Sequence, residues 1–199
     1  MDPKTYKTRL RCTIMACCFL FGVGQRDLFA ESPIQALQET IDRLQHILQD
    51  PGLGEDSRTE RAWDIIIARF DCREMSKRIL GSYWAQNVDK QEAFVAEFAK
   101  FMKRTFLKKV DQIKDATVIY QNEEVQGSTA KVSTSIHRAG GVFNIKFHMY
   151  RFESQWNIYD ILLDNESFSI IRSYRTQMHW LLQAVSFEEL LHIIRAKNP

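Results

Sequence analysis

Apolar positions recur at helical intervals over the first half of the chain, alternate one by one between about Thr117 and Leu163, and return to helical intervals at the end. Ser32-Pro33 supplies a cap and a first-turn proline. From there Ile34, Leu37, Ile41, Leu44 and Leu48 mark one helix face until Pro51-Gly52 stops the pattern. The stretch from Gly52 to Ser57 reads as a loop. A second helix is expected from about Thr59 to Ala68 with Trp63, Ile66 and Ile67 inward, and a third carries Met75, Ile79 and Leu80 until Gly81 ends or bends it. Asp89 and Glu92 have the spacing of a capping box ahead of the longest predicted helix. Its apolar stripe, Phe94, Phe98, Phe101, Met102 and Phe106, is aromatic, and Lys100, Lys103, Arg104, Lys108 and Lys109 form its solvated face.

In the alternating region, Ala130, Val132, Thr134 and Ile136 face one way, as do Phe143, Ile145, Phe147 and Met149 after a Gly140-Gly141 turn. This is an antiparallel hairpin with one apolar face, and Lys146 falls on the face opposite Phe147. A strand around Val118 to Val125 precedes it, and a last strand runs from Gln155 to about Leu163 after a turn at Glu153-Ser154. Ser169 to Gln183 then reads as a helix, and Ser186 with Glu189 caps a closing helix bearing Leu190, Leu191 and Ile194. The predicted class is α+β, an antiparallel sheet of about four strands with helices on one side.

Charge changes the picture only once the start of the chain is set apart. Lys4, Lys7, Arg9 and Arg11 precede an apolar run from Cys12 to Val23, and Ala30 offers a small residue for cleavage, so residues 1–30 read as an export signal. The run is shorter than the roughly 20 residues a membrane span needs. Removing residues 1–30 takes five of the 27 Lys and Arg and two of the 25 Asp and Glu, leaving 22 against 23. The remaining 31–199 form one domain without the concentrated positive field of a nucleic-acid binder. Of four cysteines only Cys72 lies outside the signal, so that domain has no internal disulfide, and Cys72 beside Phe70 is expected to be buried.

Catalytic motifs are missing. The chain has no Gly-x-Ser-x-Gly elbow, no His-Glu-x-x-His pair and no phosphate-cradling Gly-x-x-x-x-Gly-Lys loop. His46, His137, His148, His179 and His192 share no ligand spacing, so no metal is expected. Asp160 with Tyr159 and His148 could form an acid-base group, the basis of a small-molecule enzyme alternative. The plainer roles are a helix cap for Asp71 and a buried hydrogen-bonded anchor for Asp160.

Two separated motifs carry more information. The first is Phe70-Asp71-Cys72-Arg73-Glu74-Met75, running on to Leu80-Gly81-Ser82-Tyr83-Trp84. The second is Trp156-Asn157-Ile158-Tyr159-Asp160, followed by Tyr174-Arg175-Thr176-Gln177. Together they resemble the MlaC-type family, the toluene-tolerance auxiliary components of ABC transporters. That resemblance implies a curved sheet like that of nuclear-transport-factor-like (NTF2-like) domains, packed by helices around an apolar cavity. It also implies a periplasmic carrier moving phospholipid between an outer-membrane lipoprotein complex and an inner-membrane ABC transporter, which serves outer-membrane lipid asymmetry. It brings no cofactor and no nucleic-acid partner. Where the family has a glycine-containing segment after the Trp-x-x-Tyr-Asp strand, Asp164-Asn165-Glu166-Ser167-Phe168-Ser169 is longer and lacks the glycine.

A carrier of diacyl lipid must shelter roughly thirty methylenes at about 0.8 kcal/mol each, on the order of 20 kcal/mol. That calls for apolar walls and a polar mouth. Candidate walls are Met75, Ile79, Phe94, Phe98, Phe101, Phe147, Met149 and Ile161; candidate rim groups are Arg73, Lys146, Tyr174 and Arg175. From the sequence pattern alone the aromatic stripe reads as ordinary core, and it is the resemblance that turns part of it toward acyl chains. The alternatives to a carrier are an NTF2-like small-molecule enzyme or a ligand-free interaction module of a lipid or hopanoid export system.

Overall fold

Ser32 opens the first helix as its spacing predicts, its hydroxyl accepting from the Gln35 amide at 3.2 Å while the Gln35 side chain accepts from the Ser32 amide at 3.0 Å. In the computed structural model, which describes residues 31–163 and 167–197, this helix, α1, spans Pro33–Gln49. The predicted export signal and the Asp164-Asn165-Glu166 part of the longer segment lie outside the described residues. The second helix, α2 (Glu55–Ile67), begins before Thr59, inside the predicted loop. Gly54 precedes it, and Glu55 and Asp56 place negative charge at the positive end of the helix. Then come α3 (Cys72–Leu80), α4 (Ser82–Gln86), a 3-10 turn at Val88–Lys90, α5 (Gln91–Leu107) and α6 (Asp111–Lys114).

The capping box at Asp89 and Glu92 does not form. Asp89 lies within the 3-10 turn, and α5 starts at Gln91 without a side-chain cap. Other partners hold the residues at this turn: the Gln91 side chain donates from Nε2 to the Trp84 carbonyl at 2.9 Å, and Glu92 pairs with Arg73.

Five strands follow in simple meander order: β1 (Thr117–Gln126), β2 (Thr129–Arg138), β3 (Gly141–Phe152), β4 (Gln155–Leu163) and β5 (Phe168–Ser169). The last is a two-residue strand paired with Leu162 and Leu163, too short to leave an alternating pattern in the sequence. Two bulges bend the sheet, one at Gln121 in β1 and one at Tyr159 in β4. The second keeps Ile158 opposite Met149 and Ile161 opposite Phe147, all on one face. The closing helices are α7 (Ile170–Leu182) and α8 (Phe187–Ala196), capped by Ser169 and Ser186.

Helices occupy both faces of the sheet near β4 rather than one. On the first face Ala36, Leu37 and Ile41 of α1 pack over Ala130, Val132, Phe147, Met149, Trp156 and Ile158. The far end of α1, at Leu44 and Leu48, packs with Ala62 of α2 and Val110. The chain then passes the edge of β4 at Arg69-Phe70-Asp71, where Ile158 donates to the Arg69 carbonyl at 2.8 Å and accepts from the Asp71 amide at 3.1 Å. Beyond that edge, α3, α5, α7 and α8 build a separate core. Among the described residues no helix is long and apolar enough to cross a membrane.

Candidate functional site

The motif residues converge on the edge of β4. Asp71 precedes α3, and its Oδ1 accepts from the Glu74 amide at 2.8 Å, while its Oδ2 accepts from the Tyr150 hydroxyl. Burial, then the bond to Asp71, raises the Tyr150 phenol above its ordinary pKa. The Trp156 indole donates to the Glu31 carbonyl at 2.8 Å and so ties the start of α1 to the sheet. Arg69, which sequence reasoning missed, joins the two: its Nε donates to the Thr40 hydroxyl at 2.8 Å and its NH1 to the Trp156 carbonyl at 3.0 Å. It also lies 3.8 Å from Glu31, whose carboxyl burial raises and Arg69 lowers. Only its position just before the Phe-Asp motif could have marked it.

Asp160 is an anchor. Its Oδ2 accepts from the Ser169 hydroxyl at 2.6 Å, and its Oδ1 from the amides of Ile161 at 2.8 Å and Ile171 at 3.0 Å. Both oxygens are engaged in holding the start of α7 to β4. Cys72 is buried as its neighbours suggest, and burial pushes its thiol up to about 11.

The candidate wall residues divide between two cores. Met75, Ile79, Phe94 and Phe98 lie together beyond the β4 edge with Phe187, Leu190 and Ile194, and Phe101 packs at the margin of that cluster. Phe147 and Met149 lie under α1, with Ile161 partly buried at their margin. Phe70 touches both clusters. Other partly buried apolar side chains lie at cluster margins: Met102 beside Phe101, Ile66 and Phe106 near Leu48, and Ile145 on the sheet. The helix stripe and the sheet face therefore belong to different clusters, which hydrophobic periodicity alone cannot reveal.

The candidate rim residues are dispersed. Arg73 is paired with Glu92 and stands 5.3 Å from the centre of the Trp84 ring. Tyr174 turns inward, edge-on to Phe101 at 5.2 Å and Phe98 at 6.1 Å, and burial raises its phenol. Lys146 lies on the sheet face opposite Phe147, in a hollow of about 280 Å³ with Gln121, Ser133 and Asn144. Arg175 lies in a larger pocket of about 550 Å³ between α3, α7 and the His148 face of the sheet. That pocket also contains Lys77 and Arg78, which sequence reasoning did not single out. The Glu74 to Arg78 spacing of a helical ion pair was a usable signal.

With this geometry in hand, similarity to known proteins becomes informative. The family model described as "MlaC protein" matches residues 38–196. Among curated proteins no sequence matches this one. A solved structure that is similar in fold is that of a phospholipid-binding protein from Ralstonia solanacearum in complex with a phospholipid. It has a TM-score of 0.72 and 18% identity, and the match covers 85% of this chain and 96% of that one.

Proposed function

This chain belongs to the MlaC family, and we propose that it is a periplasmic phospholipid carrier that passes lipid between an outer-membrane lipoprotein complex and an inner-membrane ABC transporter. The observation that carries this reading is the family match over residues 38–196. The Ralstonia protein, similar in fold and bound to phospholipid, supports it. So does the export-signal pattern of residues 1–30.

The acyl chains are accommodated where the margins of the apolar clusters approach. Phe101, Met102 and Phe106 of α5, Ile66 of α2 and Ile145 and Ile161 of the sheet keep partial exposure, while Phe70 bridges two clusters. Wall contact there replaces water around the methylenes, the source of the roughly 20 kcal/mol that carriage demands. The reading is that of a binding protein; Asp160 serves the fold.

The test is organic extraction and native mass spectrometry of the protein recovered from a bacterial periplasm. Phospholipid is expected in the extract. Lipid-free protein that also fails to accept lipid from vesicles would refute the carrier. Ile161→Asp, at a partly exposed wall position, is expected to lose lipid while keeping its circular dichroism spectrum, and Lys146→Gln on the opposite face to keep it.

A further inference from the structure

Three separated pieces of the family motifs meet away from the proposed acyl-chain site, in the pocket formed by Glu74, Lys77, Arg78 and Gly81, by His148, Tyr159 and Asp160, and by Ile171 and Arg175. We propose that this pocket binds a phosphate group between the guanidinium groups of Arg78 and Arg175, with the Lys77 ammonium at its edge.

Arg78 is held in place before any ligand arrives. Its guanidinium lies 3.9 Å from the centre of the Tyr159 ring, and one amino group is 2.9 Å from a Glu74 oxygen. Its Nε is shielded from solvent without a hydrogen-bond acceptor. Arg175 reaches the pocket across Gly81. A Cβ at Gly81 would fall 2.9 Å from the Arg175 amino group, so the bare glycine backbone is what lets the guanidinium lie there. No carboxylate among the described residues pairs with Arg175.

The charge balance favours an anion. Among the described residues, Lys77, Arg78 and Arg175 face two carboxylates, Glu74 and Asp160. Asp160 is satisfied by the Ser169 hydroxyl and two amides, one of them at the positive end of α7. Glu74 is shared between Arg78 and Lys77, the latter at 3.9 Å. A guanidinium fork binds two oxygens of one phosphate, and forks arriving from two helices suit a tetrahedral group better than a planar carboxylate. At about 550 Å³ the pocket exceeds a bare phosphate and has room for its ester substituent. Free phosphate esters and a lipid headgroup share this chemistry. The site stands on its own contacts and does not depend on lipid carriage.

Titration calorimetry with inorganic phosphate and with sn-glycerol 3-phosphate, on lipid-stripped and lipid-loaded protein, tests the proposal. Stripped wild type is expected to bind at millimolar concentration or below. Arg175→Gln should weaken binding by at least about tenfold, the size of one lost charge-assisted hydrogen-bonded pair. Arg172→Gln, an exposed neighbour on α7 outside the pocket, should leave it unchanged. Arg175→Lys should restore part of the affinity, and equal unfolding midpoints would show that the variants are folded. Equal binding to both preparations identifies a free phosphate site. Binding to stripped protein alone shows that a lipid headgroup occupies it. Absence of binding to stripped wild type, or an Arg175→Gln variant that binds as tightly as wild type, overturns the proposal. Neither result bears on whether lipid co-purifies, so failure here and failure of the carrier reading are separable.

Discussion

Replacing Asp71 by alanine removes two bonds with one truncation, and the expected cost follows from their geometry. The cap on α3, from the Glu74 amide to Oδ1 at 2.8 Å, contributes about 1 kcal/mol. The Tyr150 hydroxyl, half-buried, loses its acceptor at Oδ2, which costs about 1–2 kcal/mol more. The total of about 2–3 kcal/mol lowers the unfolding midpoint by roughly 5–10 °C in a chain of this size. Urea denaturation followed by tryptophan fluorescence measures it. A cycle with Tyr150→Phe separates the terms, and a coupling of about 1 kcal/mol is expected between contacting side chains. Alkaline pH gives an independent handle. Burial, then the Asp71 bond, raises the folded pKa of Tyr150, so its stabilisation is complete below the ordinary value near 10 and declines as pH rises beyond it. Asp71→Ala should flatten that decline. A loss under about 0.5 kcal/mol, or coupling within the roughly 0.3 kcal/mol expected of independent sites, would refute this account.

Other perturbations reach different parts of the same region. Gly81 has φ 58° and lies against Arg175, so Gly81→Ala should cost about 1–3 kcal/mol, part of it recovered by adding Arg175→Ala. Recovery would be absent if the cost were backbone strain alone, and thermal denaturation of the pair decides. Asp160→Ala leaves a hydroxyl and two amides without their acceptor and should destabilise by at least about 3 kcal/mol; a variant within 1 kcal/mol of wild type by urea titration contradicts its anchoring role. With its thiol at about 11, Cys72 should resist a disulfide reagent at neutral pH until urea unfolds the chain, and rapid native labelling would be inconsistent with its burial.

What the sequence revealed depended on how local the deciding interaction was. The face of α1 and the alternation of β2 and β3 were legible because burial on one side imposes a short period. The Ser186 cap was legible for the same reason, since cap and amide are three residues apart. At the start of α5 the local signal lost. Glu92 is drawn to Arg73, 19 residues away, and Gln91 to the Trp84 carbonyl, so the Asp89 box never assembles. The candidate wall shows a further limit: a stripe says which side is buried but not which layer it meets. Phe94 and Phe98 meet Phe187 and Tyr174 rather than Phe147. Arg69 was invisible because its partners Thr40 and Trp156 are 29 and 87 residues distant.

The clip between Arg69-Phe70-Asp71 and Ile158 also governs the order in which the molecule can be completed. Everything it fastens, including the tie from Trp156 to Glu31 across 125 positions, waits for a strand made after α1 to α6 and β1 to β3. A fragment ending before Gln155 would contain all of α1 to α6 yet lack the strand to which Arg69-Phe70-Asp71 is fastened. Such a fragment should remain sensitive to proteases, and the full chain should fold at the slow pace of distant pairings. A nascent chain of this design stays pliable until Trp156 to Ile158 emerge.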